Sequence, residues 1–276
     1  MKKEVRIFLT ALMFFTRIPV PAHIDHNTAD LNKSSRYFPM VGILVGLIGA
    51  VVFAGANALF KDIFTAVILS VIATLLTTGA FHEDGLADVA DGFGGGWTKQ
   101  RILEIMKDSR VGAFGVIAII MILLLKICLL AKLALVMINT QLLPFCLLYI
   151  AAHTFSRTMP VYLLRFMAYS REDDSSSKSK PLATKISWPG FILANITGLV
   201  PLLLLIICFH HSWLLLLVIV PCALLTAYLS RYFNKWINGY TGDCLGATQQ
   251  LNEVIFTWAY WQYGIISDQT YQTRLS

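Results

Sequence analysis

A series of apolar blocks, each close to the length that crosses a bilayer, constrains the fold of this chain more than any other feature. The blocks run from Val41 to Phe60, Ile63 to Phe81, Val111 to Ile138, Leu142 to Leu164, Pro189 to Phe209 and Trp213 to Leu229. A transmembrane helix needs about 20 mainly apolar residues, and 57% of this chain is hydrophobic while 14% is charged. We therefore predict an all-α, polytopic membrane bundle of about six to seven transmembrane helices, in a single domain over residues 1–276.

Three segments leave alternatives open. Val254 to Ile266 is rich in Trp and Tyr but short, so a short span, a re-entrant piece and an interfacial helix all remain possible. The third apolar block carries Lys126 and Lys132, which favour a helix that tilts, extends beyond the bilayer or breaks. Residues 1–21 have the charged start and apolar core of a signal peptide, but Arg17 and two prolines follow and no small-x-small cleavage site appears. We expect a retained interfacial or partly inserted helix there.

Lysine and arginine residues lie unevenly among the loops. Residues 1–40, 83–110, 165–188 and 230–253 hold most of the loop charges, whereas the alternate loops hold Lys61 or none. Because cytoplasmic loops carry the positive excess, these four segments are predicted to face the cytoplasm. A transporter needs polar groups near the midplane with access from both sides, so this asymmetry favours an enzyme whose site lies at one face. A cation-coupled transporter is the alternative.

The overall charge and the cysteines exclude other classes of function. The formal charge of +6 is scattered among short loops without a basic stripe, so we expect no nucleic-acid partner. Most of the cysteines lie in apolar runs and no C-x-x-C occurs, so neither a zinc site nor a disulfide framework is indicated. The oligomeric state is left open, with a homo-oligomer among the possibilities.

The densest group of acids follows the second apolar block. Asp84, Asp88 and Asp91 are spaced i, i+4, i+7, which places three carboxylates on one face of a helix. With Glu83 they form an oxygen-only ligand set, which favours Mg²⁺ shared with a phosphate. The helix is expected to prolong the second span to about Asp91 and to stop at the glycines. Because acids at such a C-terminus oppose the helix macrodipole, a solvated acidic cap is the weaker alternative.

The rest of this loop carries candidate phosphate contacts. Gly94 and Gly95 either let backbone N–H groups approach a phosphate or simply break the helix. Lys107 and Arg110, with Asp108 between them, precede the third block, and their charges either clamp phosphate oxygens or anchor the loop at the membrane surface.

Two further polar groups lie later in the chain. Arg157 interrupts the fourth block, where an arginine is a functional candidate unless it snorkels to the surface, and His153 is expected to be a satisfied buried histidine. Residues 239–243 predict a tight turn presenting Asp243, and three residues at helical spacing after it are expected to face the same site: Gln249, Asn252 and Glu253. The serine-rich stretch 171–180 has the composition of a flexible loop.

Together these motifs resemble the cobalamin synthase (adenosylcobinamide-GDP ribazoletransferase) family of the late vitamin B12 pathway. The resemblance rests on residues 15–21, 82–96, 107–115, 156–157 and 239–246, in that order. It implies transfer of the adenosylcobinamide phosphate from adenosylcobinamide-GDP to α-ribazole or its 5′-phosphate, with GMP released and Mg²⁺ required. It also implies a multi-pass protein of a prokaryotic inner membrane, in contact with membrane lipid.

The resemblance suggests a role for each candidate residue. Catalytic roles are predicted for Asp84, Asp88, Asp91, Asp243, Arg110 and Arg157. Metal ligation is predicted for Glu83, Asp84, Asp88 and Asp91, and substrate binding for Arg17, Gly94, Gly95, Lys107, Asp108, Thr241, Gln249 and Asn252. The acids are also similar to those of the membrane CDP-alcohol phosphotransferases, but residues 84–88 depart from the D-G-x-x-A-R pattern of those enzymes. A lipid phosphotransferase of that type is a further alternative, by analogy only.

Overall fold

The computed structural model describes residues 3–22, 24, 28–137, 142–170, 185–208 and 213–275, and these residues form helices and no strand. The helices are α1 (Lys3–Phe15), α2 (Thr28–Ser34), α3 (Phe38–Phe60), α4 (Ile63–Thr78), α5 (Phe81–Gly95), α6 (Lys99–Ile105), α7 (Ala113–Met137), α8 (Leu142–Ser156), α9 (Met159–Phe166), α10 (Trp188–Cys208), α11 (Ile219–Ile237) and α12 (Gly242–Leu275). Short 3₁₀ segments, Ser35–Tyr37 and Trp213–Val218, lead into α3 and α11. The predicted all-α class is confirmed.

Four helical stretches of the described residues are long and apolar enough to cross a membrane: Asp30–Phe60, Ala113–Met137, Trp188–Cys208 and Trp213–Ile237. The bent pair α4 and α5 makes a fifth if it counts as one span. The polytopic membrane character is confirmed, but the number of long apolar helices is lower than the sequence predicted.

Two of the predicted spans account for this difference. The fourth block is divided into α8 and α9, and α9 carries Pro160 in its first turn, where the missing N–H of proline is tolerated. Val254 to Ile266 is neither a separate short span nor a separate interfacial helix. It lies inside α12, which begins at Gly242 and lines the centre of the bundle with polar side chains.

The two lysines of the third block do not interrupt its helix. α7 is continuous from Ala113 to Met137, because each lysine has a partner. Lys126 is buried against acids of other helices, and the Lys132 ammonium lies 4.8 Å from the centre of the Trp261 ring. At the N-terminus, α1 buries a single face made by Ile7, Ala11 and Phe15, so this helix packs on the bundle.

Candidate active site

A sharp elbow between α4 and α5 sets the direction of the acidic helix. Gly79 and Ala80 both adopt the left-handed conformation, with φ of 65° and 57°, and the two helices meet at 86°. A side chain at Gly79 would collide with the guanidinium of Arg17, whose backbone N–H donates to the Thr77 carbonyl at 2.7 Å. The predicted straight extension of the second span to Asp91 is therefore wrong, because two left-handed residues end the α4 hydrogen-bond ladder.

This elbow also changes the predicted electrostatics of two of the acids. Glu83 and Asp84 lie in the first turn of α5, where the helix macrodipole stabilises negative charge. The expectation that the acids oppose the dipole is thus wrong for Glu83 and Asp84, whereas Asp91 lies near the C-terminal end of α5. The expectation that the helix stops at the glycines is confirmed, because α5 ends at Gly95 and Gly96 is its C-cap.

The three aspartates of α5 have different surroundings. Asp84 is exposed, Asp88 is half-buried and Asp91 is buried. Both Asp91 oxygens accept backbone N–H groups at the start of α7, from Gly112 at 2.6 Å and from Gly115 at 2.8 Å. Asp91 thus caps the N-terminus of α7, where unpaired N–H groups need an acceptor. The metal ligation predicted for Asp91 stays a prediction.

The acidic helix crosses the start of α12 at very short range. A Cβ atom placed on Gly85 would lie 3.0 Å from the Asp243 backbone oxygen, and one on Gly246 would lie 3.1 Å from the His82 oxygen. Only residues without side chains allow two helix backbones to approach so closely. The crossing places the Asp243 backbone against Gly85, and Asp84 and Asp88 lie within one turn of Gly85 on α5. The structure therefore brings the backbones of two acid-bearing segments, far apart in sequence, into contact.

Asp243 is held at the N-terminus of α12. The Thr241 hydroxyl donates to Asp243 Oδ2 at 3.2 Å and accepts the Cys244 N–H at 3.4 Å. Thr241 is fully buried and Asp243 is half-buried. The predicted tight turn thus acts as a helix cap that places Asp243 in the first turn of α12.

A network of buried charges lies between α5, α7 and α12. The Lys126 ammonium pairs with Glu253 Oε1 at 3.0 Å and donates to Gln250 Oε1 at 3.0 Å. Gln250 in turn donates to Glu83 Oε1 at 2.8 Å, and the Lys126 nitrogen lies 4.0 Å from that oxygen. These contacts hold the Glu83 side chain in the interior of the bundle. The metal ligation predicted for Glu83 stays a prediction. Glu83 Oε2 is buried without a described partner.

The network continues into α8. His153 Nδ1 lies 3.3 Å from Glu253 Oε2, and Gln249 donates to the same Glu253 oxygen at 2.7 Å and to Ser156 Oγ at 3.0 Å. The expectation of a satisfied, buried His153 is confirmed. The predicted helical face of α12 also reaches this network, although Asn252 bonds instead to Thr226 and to the Thr248 carbonyl.

Arg157 lies inside the protein and does not snorkel to the surface. Its side chain is 4% exposed, and its Nη1 donates to the His153 carbonyl at 3.0 Å. Arg157 Nε and His82 Nδ1 are buried without a described partner. Both residues line a cavity of about 40 Å³ beside Gln249 and Phe15, which has roughly the volume of one water molecule.

The basic residues before α7 are exposed. The Arg110 side chain donates to both carboxylate oxygens of Asp108, with Nη2 2.6 Å from Oδ2, and its backbone N–H donates to Oδ1 at 3.1 Å. These hydrogen bonds lower the pKa of Asp108 to about 2. Lys107 and Gly95 are also exposed, and Gly94 lies against the Phe114 ring. Arg110 therefore pairs with Asp108, and the roles predicted for this loop in phosphate binding stay predictions.

Lys126, Gln250 and His82 are among the polar residues of this region to which the sequence pattern assigned no role. A signal for Lys126 was present, because a charged residue within a span is a functional candidate by default. Gln250 adjoins Gln249, and only the packing of α12 against α5 and α7 shows that both face inward. Within the described residues, no group of three or more His, Cys, Asp or Glu side chains is arranged to hold a metal ion.

Comparisons with known proteins match almost the whole chain. The family described as cobalamin-5-phosphate synthase matches residues 7–261. A relative from Shewanella amazonensis named adenosylcobinamide-GDP ribazoletransferase is 44% identical over 254 residues, which cover 92% of this chain and 94% of the relative. Relatives of the same name from Vibrio cholerae serotype O1 and Ralstonia pickettii are 43% and 44% identical, over 92% and 90% of this chain and 93% and 92% of their own. No solved structure matches.

Proposed function

Since the chain belongs to the cobalamin-5-phosphate synthase family, an enzyme family that completes the nucleotide loop of cobalamin, we propose how its acids serve that reaction. The adenosylcobinamide phosphate of adenosylcobinamide-GDP is transferred to a hydroxyl of α-ribazole or of α-ribazole 5′-phosphate, and GMP leaves. The observation that carries the proposal is the α5–α12 crossing, where the backbones of Gly85 and Asp243 approach closely.

The residues at this crossing fit a magnesium ion. Mg²⁺ is usually held by one or two carboxylates together with water and substrate phosphates, and a closed cage of protein ligands is not needed. Asp84 and Asp88 are the carboxylates of α5 that reach the surface, and we assign the ion to them. Glu83 and Asp91 remain proposed ligands, although each also has the internal contact described above. When bound, the ion would neutralise phosphate charge at the diphosphate and the leaving group.

The protein must also remove a proton from the acceptor. The hydroxyl oxygen forms the new bond to phosphorus, the bond from phosphorus to the GMP oxygen breaks, and the hydroxyl proton passes to a carboxylate. We assign this proton to Asp243, because this half-buried residue has its backbone against the acidic helix but belongs to another element. The Thr241 hydroxyl fixes the orientation of Asp243.

Positive side chains around the crossing would balance the charge of the diphosphate. Arg17 lies against the elbow at Gly79, immediately before the acidic helix, and we assign it a phosphate contact. Arg157 borders the small cavity next to His82 with an unpartnered Nε. We assign Lys107, Asp108 and Arg110, with Gly94 and Gly95 at the end of α5, to the rim where the nucleotide enters, because Asp108 is half-buried and the other four are exposed.

We propose that this face lies in the cytoplasm, because the loops that carry the acids also carry most of the lysine and arginine residues. Both substrates would then enter from the same compartment. The surrounding bilayer supplies lipid contacts to α3, α7, α10 and α11, which expose many apolar side chains. Self-association of the chain remains a proposal without a specific interface.

The proposal is tested with purified protein in liposomes, supplied with adenosylcobinamide-GDP, α-ribazole and Mg²⁺, with GMP and corrinoid product followed by chromatography. We expect product to disappear with EDTA, and to fall at least about a hundredfold in Asp84→Asn, Asp88→Asn and Asp243→Asn, the range of acid–base and metal contributions. Glu104→Gln, an exposed carboxylate of α6, is the matched control. Near-normal transfer by all three variants would refute the site, and EDTA-resistant transfer would refute the role of the metal.

A further inference from the structure

A second, larger cavity lies away from the acids, between α9, α10 and α11. Its volume is about 610 Å³, within the range of small-molecule sites in proteins. α10 and α11 both belong to stretches that are long and apolar enough to cross a membrane. The cavity therefore lies at bilayer depth, where an empty apolar space is unfavourable and hydrocarbon is the surrounding solvent.

The wall that α11 contributes changes from apolar to charged along its length. The residues that form it are Ile219, Ala223, Thr226, Ala227, Ser230, Arg231 and Asn234, and their helical spacings keep one face toward the cavity. The helical rise separates the first of these residues from the last by about 22 Å. The two alanines leave room for an elongated apolar group, and the basic end lies next to the loop that leads to α12.

The polar groups in the deeper part of the cavity already have partners. The Tyr162 hydroxyl donates to Asn195 Oδ1 at 2.7 Å, and Asn195 Nδ2 donates to the Phe191 carbonyl at 2.8 Å. Thr226 Oγ1 donates to the Cys222 carbonyl and accepts from Asn252. An occupant of this part therefore needs no hydrogen bonds. At the basic end, by contrast, Arg231 forms no ion pair with any residue that the structure describes.

We propose that this cavity binds one acyl chain of an anionic phospholipid, with the lipid phosphate at Arg231. One leaflet of a bilayer, from the midplane through the headgroups, is about 20 Å thick, which matches the length of the α11 wall. Arg231 offers a planar guanidinium suited to phosphate oxygens. The acceptor nucleoside is a poor occupant, because its polar ribose would lie among groups that already have partners.

The experiment measures lipid retained by the purified full-length protein, using native mass spectrometry after addition of phosphatidylglycerol or phosphatidylcholine in detergent. We expect the wild-type protein to retain phosphatidylglycerol about fivefold more than phosphatidylcholine, the preference one basic side chain confers at a membrane surface. Arg231→Gln should remove this headgroup preference, while the protein still retains lipid through the acyl chain. Its matched control is Lys235→Gln, which removes an exposed charge one turn later on α11.

A second pair of variants tests the apolar part. Ala227→Phe fills the cavity and should abolish retention of both lipids. Leu224→Phe places the same ring on an exposed part of α11 outside the cavity, and should retain lipid like the wild type. Equal retention by Ala227→Phe and Leu224→Phe would overturn the proposal, as would an unchanged headgroup preference in Arg231→Gln. Displacement of the lipid by α-ribazole would also overturn it and would assign the cavity to the acceptor.

Discussion

The buried ion pair between Lys126 and Glu253 makes the most direct prediction for stability. Both side chains are 4% exposed and their charged atoms are 3.0 Å apart, and Lys126 also donates to Gln250. Lys126→Met keeps the length and the apolar stem of the side chain but leaves the Glu253 carboxylate without its cation. Removing one partner of a buried pair costs about 3–5 kcal/mol, so we expect the free energy of unfolding to fall by this amount.

Lys132→Met is the matched control on the same helix. Lys132 is exposed and lies over the Trp261 ring, a contact worth about 0.5–1 kcal/mol at an exposed site. Unfolding is measured by titrating SDS into mixed micelles and following tryptophan fluorescence. The double variant Lys126→Met/Glu253→Gln should lose less free energy of unfolding than the two single variants added together, because both charges of the 3.0 Å pair are then absent. Equal losses of unfolding free energy in Lys126→Met and Lys132→Met would show that the ion pair does not stabilise the bundle.

Three further outcomes follow from the site. Asp91→Ala should lower the free energy of unfolding by about 1–2 kcal/mol, because the α7 cap is lost. Hydrogen exchange should increase first at the Gly112 and Gly115 amides, and unchanged exchange there would contradict the capping role. Gly79→Val should reduce folded yield in detergent strongly, because its left-handed φ and the Arg17 contact leave no room for a branched side chain, and a normal yield would count against the elbow. The Asp108 carboxylate should remain ionised to about pH 2, so its contact with Arg110 contributes fully above the unfolded pKa of about 4 and is lost as the pH falls through 2. Carbon NMR titration of the carboxylate checks this, and Arg110→Gln should raise the pKa of Asp108 by removing the side-chain hydrogen bonds, while the backbone N–H of residue 110 still donates.

The sequence predicted which residues share a face but missed which helix they belong to. The i, i+4, i+7 spacing of the three aspartates correctly indicated a helix, because helical periodicity is a local property. The elbow before α5 depends on Ala80 in the left-handed region, a conformation that alanine rarely adopts and that the sequence does not signal. The predicted dipole argument failed for the same reason.

The roles of Asp91 and Arg157 show the same limit. Asp91 was grouped with the other acids by spacing alone, and its capping of α7 follows from contacts with Gly112 and Gly115, more than twenty residues later. Arg157 was correctly singled out as an arginine within an apolar block. Whether it reached the surface or the interior depended on the helices packed around it, and the structure places it inside.

From the sequence alone follow the helical membrane architecture, the acidic face of α5 and the inward-facing residues of α12. Each depends on composition or on a repeat of a few residues, and such signals are carried by neighbouring positions. The crossing of α5 over α12, the Lys126 network and the cavity along α11 were decided by tertiary packing. Glu83 and Gln250, for instance, lie 167 positions apart in sequence and form a hydrogen bond. Because the packed helices exclude water there, each of these buried polar groups needs a partner inside the protein.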